Sequence, residues 1–144
     1  KLKQVKTFVN TTRVTKTDGG DYLDWGAFTK QGGPSETNLH VFGTIWGHQR
    51  YGNNIGNPAI RWGGTYNYHG WARDFQGSTD YQTGYTFNMV FGSMPAETRN
   101  FYFYVPSESH RWQSVVNPDN SDNGVSSRLN NGSASVLTVM EVEI

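Results

Sequence analysis

The chain has 144 residues, with twelve basic side chains balanced by twelve acidic ones, so its formal net charge is zero. Only 17% of residues are charged and 35% apolar, yet 15% are aromatic, 17 are glycine and none is cysteine. This excludes disulfides, thiolate metal sites and a cysteine nucleophile, and it argues against disorder, long helices, and a nucleic-acid or charged-membrane partner.

A length of this order fits one domain, residues 1–144. Few helix formers, many aromatics and many glycines point to short strands joined by turns. Residues 2–14 are rich in Val, Thr and Phe and read as one or two strands, followed by a turn at Thr17-Asp18-Gly19-Gly20. Residues 22–29 are the next strand, and 30–37 a polar loop. Residues 38–46 alternate clearly: Leu39, Val41, Gly43 and Ile45 on one face, His40, Phe42, Thr44 and Trp46 on the other. Residues 47–58 read as a turn-rich loop, and 59–68 as a strand with a bulge or kink at Gly63-Gly64. The stretch 70–79 is ambiguous. A strand over 84–91 leads to a turn at Met94-Pro95-Ala96-Glu97. In 100–105, Phe101, Phe103 and Val105 oppose Tyr102 and Tyr104. A short strand over 111–116, a loop over 117–124 and an edge strand over 125–129 precede a closing strand, 133–144. Turn signals spaced in this way predict an antiparallel β-sandwich of jelly-roll type.

The closing strand is apolar on both faces in its first half. Val136, Met140, Val142 and Ile144 share one face, and Leu137 and Val139 lie on the other, which turns charged at Glu141 and Glu143. Such a strand is central to a sheet or covered by a partner subunit.

The densest constellation runs over 45–75. It combines Trp46, Tyr51, Trp62, Tyr66, Tyr68, Trp71 and Phe75 with His, Gln, Arg, Asn and Asp. Sugars need this mixture: their C–H faces pack on rings and their hydroxyls pair with fixed donors and acceptors. Trp62, Tyr66 and Tyr68 have equal parity, so a regular strand puts them on one face, either core or surface. Turns reach the surface more reliably, so the candidate ligand-binding residues are His48, Arg50, Tyr51, Asn53, Asn54, Tyr68, His69 and Trp71.

Other chemistry finds little support. His40, His48, His69 and His110 have no metal-ligand spacing. The run Asp119-Asn120-Ser121-Asp122-Asn123-Gly124 fails the calcium-loop pattern, because Asp122 falls at position 4 and Asn130 at position 12. No nucleophile elbow and no phosphate loop occur, so no catalytic residue, metal or cofactor is expected. No apolar run is long enough to span a bilayer. Asn10-Thr11-Thr12 and Asn131-Gly132-Ser133 are glycosylation triplets of the kind that arise by chance in Asn-rich sequence. The lack of cysteine in a domain of this size suits a microbial or viral origin. Lys1 begins in strand-like sequence, which reads as a domain of a longer chain.

Asp21-Tyr22-Leu23-Asp24-Trp25-Gly26-Ala27-Phe28-Thr29, followed by Asn38-Leu39-His40-Val41-Phe42-Gly43, resembles a recurrent pattern in bacteriophage tail-fibre tips. Arg50-Tyr51-Gly52-Asn53-Asn54 resembles the turn after that pattern, and the ending, with Val139-Met140-Glu141, resembles its final strand. The resemblance covers about a quarter of the chain. It implies a homotrimeric β-sandwich at the distal end of a fibre, extracellular on the virion, that binds host surface polysaccharide or an outer-membrane protein. No binding residue transfers by motif. The alternatives are a carbohydrate-binding module of a polysaccharide-degrading enzyme and a ligand-free structural or decorating domain.

Overall fold

The computed structural model describes residues 1–16, 20–49, 54–56, 58–68, 71–73, 81–105, 114–116 and 134–144. Every regular element among them is a strand: β1 (Leu2–Asn10), β2 (Val14–Lys16), β3 (Gly20–Thr29), β4 (Thr37–Gln49), β5 (Asn54–Gly56), β6 (Ala59–Trp62), β7 (Thr65–Tyr68), β8 (Trp71–Arg73), β9 (Tyr81–Phe91), β10 (Thr98–Val105), β11 (Ser114–Val116) and β12 (Ser135–Glu143). All pairings are antiparallel.

Two four-stranded sheets pack face to face. One runs β1-β12-β4-β9, and the other runs β3-β10-β6-β7. The short strands β11 and β2 continue the first sheet beside the last residues of β4. Strands β5 and β8 form a separate ribbon. Apart from the pair β6 and β7, successive long strands alternate between the sheets, and the last pairs with the first. This wrapping is the jelly roll that the turn spacing predicts.

The core lies between the sheets and follows strand parity. Leu39, Val41 and Ile45 of β4, Leu137 and Val139 of β12, and Phe101, Phe103 and Val105 of β10 are all buried. Phe101 sits at the centre, with the rings of Phe8, Phe28, Trp62 and Phe91 at centroid distances of 6.0–6.5 Å. The buried indoles keep their N–H groups paired, as burial requires: Trp62 donates to the Arg99 carbonyl at 2.9 Å and Trp25 to the Ser135 carbonyl at 3.2 Å. Gly43 also faces inward. A Cβ there would lie 2.0 Å from the Val136 carbonyl oxygen, so the strands can approach only without a side chain.

Two expectations change, and β3 departs from regular alternation. Residues 47–49, read as loop, continue β4, and 54–56 form β5 within the same predicted loop. Residues 59–68 are two strands: Trp62 faces Thr65 across a two-residue turn, with Gly63 at φ 55°. The Arg99 side chain fills the space where a Cβ at Gly63 would lie. A turn of this hand needs positive φ, which glycine adopts freely. In β3, register shifts next to Tyr22 and Trp25 let Tyr22, Leu23 and Trp25 all reach the core, which simple alternation forbids. The edge strand expected over 125–129, the loop 117–124 and the Thr17 turn lie outside the described residues, apart from Gly20.

One inward position of β12 is charged. Glu141 is fully buried and accepts hydrogen bonds from Gln4 Nε2 at 2.6 Å, Gly32 N and Thr37 Oγ1 at 2.7 Å, and Gln31 N at 3.0 Å. Burial pushes its pKa up, but these donors outweigh burial and hold it at about 2. Beside it, buried Lys30 donates to the carbonyls of Gly32 and Gly33. Together the two side chains pin the β3–β4 loop to the sandwich.

Candidate functional site

The outer face of the sheet β3-β10-β6-β7 is a lattice set by register. Tyr104 lies opposite Ala59, and Ala59 opposite Tyr68; Tyr102 lies opposite Arg61, and Arg61 opposite Tyr66. Asp21 and Asp24 extend the two rows on β3. Directly opposed residues share a face, so four tyrosines surround one arginine and one alanine. Ala59 is only 1% exposed although it lies in the outer row, which fits a small side chain between the flanking rings Tyr104 and Tyr68.

The rings are ordered by contact with one another. Tyr66 and Tyr68 lie nearly parallel, with centroids 5.9 Å apart, and Tyr104 meets Tyr66 edge-on at 4.9 Å. Tyr66 is 42% and Tyr68 51% exposed. They are therefore fixed in geometry and still open to solvent, a combination that gives contact area at low entropic cost.

Arg61 is the fixed polar centre. Its guanidinium lies 3.7 Å from the Tyr102 ring centroid and crosses that strand to Asp21. Nε donates to Asp21 Oδ1 at 2.8 Å and Nη2 to Oδ2, while Nη1 donates to the Gly63 carbonyl at 2.7 Å. The hydrogen-bonded Asp21 carboxylate raises the Arg61 pKa above its ordinary value, against the opposing effect of burial. The fork of the guanidinium is filled, and its charge is neutralised by Asp21. Lower on the sheet, Asn100 Nδ2 donates to both oxygens of Asp24 at 3.2 and 3.1 Å.

Of the predicted ligand-binding residues that are described, Tyr68 belongs to this face. His48 lies in β4, opposite Gln82 of β9 and Val115 of β11; Asn54 lies in β5 opposite Arg73, and Trp71 in β8 opposite Gly56. These three are strand residues, where turn signals placed loops. Arg50, Tyr51, Asn53 and His69 lie outside the described residues. The ribbon carrying Asn54 and Trp71 joins the same end of β6 and β7 at which Ala59 and Tyr68 stand. Sequence reasoning missed Arg61, Asp21, Tyr102 and Tyr104 as a group, because the register that joins four strands is not local. The available signal was the alternation of 100–105, which sets Tyr102 and Tyr104 against a buried face. Among the described residues no group of His, Asp and Glu is placed to hold a metal ion.

The two ends of the sandwich differ. At one end the connections are residues 30–36, 63–64 and 92–97; at the other they span 11–19, 50–58, 69–80 and 106–134, and include β2, β5, β8 and β11. Tyr68, Tyr104 and Asp21 stand at the end with the long connections, where recognition residues are commonly carried on a rigid scaffold.

No family model matches the chain, and no curated protein matches it. Its fold is similar to that of a chain in the structure of infectious bursal disease virus, Gx strain, with a TM-score of 0.50 and 13% sequence identity. The likeness is one of fold. It covers 97% of this chain and 32% of the viral chain, so this chain spans a little under a third of that length.

Proposed function

We propose that the chain is a non-catalytic recognition domain of a virion, at the tip of a phage tail fibre, and that it binds an uncharged glycan of the host surface through the tyrosine face. The observation that carries this reading is the parallel, solvent-open pair Tyr66 and Tyr68 beside the Arg61–Asp21 pair. Aromatic rings held at fixed spacing suit the C–H faces of sugars, and the phenol hydroxyls and Asp21 suit their hydroxyl groups. The tail-fibre resemblance and the fold likeness to a virus chain support the virion setting.

The neutralised arginine narrows the ligand class. A site for acidic sugars or phosphate needs an unfilled cation. Here Arg61, the arginine of the face among the described residues, is occupied by Asp21, and Asp24 adds a further negative charge.

The test is titration of the chain with neutral and acidic polysaccharides prepared from bacterial envelopes, followed by calorimetry and intrinsic fluorescence. Saturable binding to a neutral polysaccharide is expected, with at least about a tenfold loss in Tyr68→Ala. Binding that survives the double change Tyr66→Ala and Tyr68→Ala removes this face from the function.

A further inference from the structure

The sandwich has two open sides, where the edge strands of its sheets face one another, and the two are finished differently. On one side β1 faces β3. Gln4 Nε2 donates to the Thr29 carbonyl at 2.7 Å, Lys6 Nζ to the Ala27 carbonyl at 2.9 Å and Asn10 Nδ2 to the Asp24 carbonyl at 3.1 Å. β1 also carries Lys3, Lys6 and a register shift between Leu2 and Gln4. Charges, bulges and side-chain cover are devices that keep a sheet edge from pairing further. On the other side β9 faces β7. β9 keeps unbroken register with β4 from Tyr81 to Phe91 and holds no charged residue and no proline. Among the described residues no strand pairs with its outer edge. Asn67 Nδ2 of β7 crosses to it, donating to the Val90 carbonyl at 3.0 Å.

Strand parity shows which main-chain groups that edge offers. Trp46 N donates to Ser135 Oγ of β12 at 3.2 Å, so even-numbered residues of β4 turn their main-chain groups toward β12 and odd-numbered ones toward β9. Leu39, Val41 and Gly43 therefore bond to Phe91, Met89 and Phe87, which leaves the N–H and C=O of Thr86, Asn88 and Val90 pointing away from β4. The bond that Val90 accepts from Asn67 agrees. Behind this edge lies a small apolar pocket, lined by Phe87 and Met89 of β9 with Ala59 and Ile60 of β6. Its depth holds little more than a water-sized sphere, about 10 Å³, and its empty space is about 170 Å³ counting the open mouth. It takes the end of one aliphatic side chain and not a sugar ring.

We infer that this edge receives an extended segment of another polypeptide, which adds as a strand to β9 and sets an aliphatic side chain in the pocket. A ligand for the edge must itself carry N–H and C=O groups at the strand repeat, which a peptide has and a glycan lacks. A residue of the added strand opposite Phe87 or Met89 points as they do, toward the pocket, and its neighbours point to the outer face. β9 holds no Asp, Glu, Lys or Arg to pair with a buried charge, so the segment that fits is uncharged. Main-chain bonds supply the affinity and the pocket supplies the selection. The inference does not rest on glycan binding, which uses the tyrosine face.

Calorimetric titration of the whole chain with end-blocked synthetic peptides that alternate threonine with valine, leucine or isoleucine tests it. Saturable binding is expected for at least one of them. At least about a tenfold loss is expected when its aliphatic residues are replaced by aspartate, or when one alternating set of its peptide nitrogens is methylated. Asn88→Pro removes an outward N–H without touching the ladder to β4, a change that edge strands accept. It is expected to weaken binding by at least about tenfold as well. Circular dichroism checks its fold; should Asn88→Pro unfold, Thr86→Pro makes the same test. The inference is overturned if none of the peptides binds, or if a folded proline variant binds them as the native chain does. It is also overturned if light scattering shows that Asn88→Pro lowers the solution mass, because a second copy then holds the edge.

Discussion

The two sheets bury similar inward faces but turn different chemistry outward. On β3-β10-β6-β7 the outward rows hold four tyrosines, an arginine and two aspartates, tied by ring contacts and a forked ion pair. On β1-β12-β4-β9 the outward rows of residues 2–9, 40–46, 86–90 and 136–142 hold mainly valine, threonine and other apolar side chains with His40 and Asn88, and no Asp, Glu, Lys or Arg lies opposite them in those rows. The inward faces answer to the same constraint, which is close packing of one core. The outward faces answer to whatever meets them. A polar aromatic surface with fixed hydrogen-bonding groups suits a hydroxyl-rich ligand.

The comparison breaks most readily where a ring lies on the wrong side. Trp62 and Tyr68 have the same parity in sequence, but the Gly63-Gly64 turn sends Trp62 into the core and Tyr68 outward. Trp62→Ala is expected to cost about 3–5 kcal/mol of stability, the usual range for emptying a buried aromatic site. Tyr68→Ala is expected to cost no more than about 1 kcal/mol. Urea unfolding of the two variants decides it; equal losses contradict the placement of the rings.

The next effect belongs to the inward side of β12, next to the apolar outward side. Glu141 is fully buried, and its folded pKa of about 2 lies below the ordinary 4.5. A lowered carboxylate pKa means that folding favours the charged form. Its contribution is complete above about pH 4.5 and is lost as the pH falls through about 2. The shift corresponds to roughly 3 kcal/mol. Glu141→Gln sets an amide N–H₂ among the donors Gln4, Gly32 and Thr37, and is expected to cost about 2–3 kcal/mol at neutral pH. It should also flatten the acid limb of the stability curve between pH 5 and 2, measured by denaturant unfolding at a series of pH values. An unchanged acid limb would show that other carboxylates set it.

Much of this division was legible in sequence. The alternation of residues 38–46, 100–105 and 136–144 separates the two faces of β4, β10 and β12 as the structure has them, because each run is long and regular, but it does not say which face of β12 turns inward. Where chain geometry breaks the period, parity alone is no guide, and the expectation of Trp62, Tyr66 and Tyr68 on one face is overturned. The shifts beside Tyr22 and Trp25 and the turn at Gly63 each reverse a face, and a one-residue change does so completely. Among the described residues, the candidate site was legible at Tyr68. Arg61, Asp21, Tyr102 and Tyr104 come from three strands far apart in sequence, and only the sheet order β3-β10-β6 joins them. Glu141 looked like the start of a charged face, because nothing local shows that Gln4 and the 30–37 loop will surround it.

The smallest expected effect lies at the centre of the tyrosine face and sharpens the difference between the faces. Arg61→Lys keeps the charge but loses the fork that reaches both Asp21 oxygens and the flat group that lies on Tyr102. The pair is partly exposed, with Arg61 at 17% and Asp21 at 37%, so water screens it. The stability loss should be about 1 kcal/mol or less. The consequence for recognition should be qualitative. A lysine ammonium cannot fill both Asp21 oxygens while also reaching the Gly63 carbonyl, so its charge is less completely neutralised. Arg61→Lys should therefore gain affinity for acidic polysaccharide relative to neutral, and Asp21→Asn should do so more strongly because it removes the opposing charge. Calorimetric titration of both variants against the two polysaccharide classes measures the ratio. A ratio unmoved by Asp21→Asn would mean that the neutralised arginine does not set the preference, leaving the rings to act through shape alone.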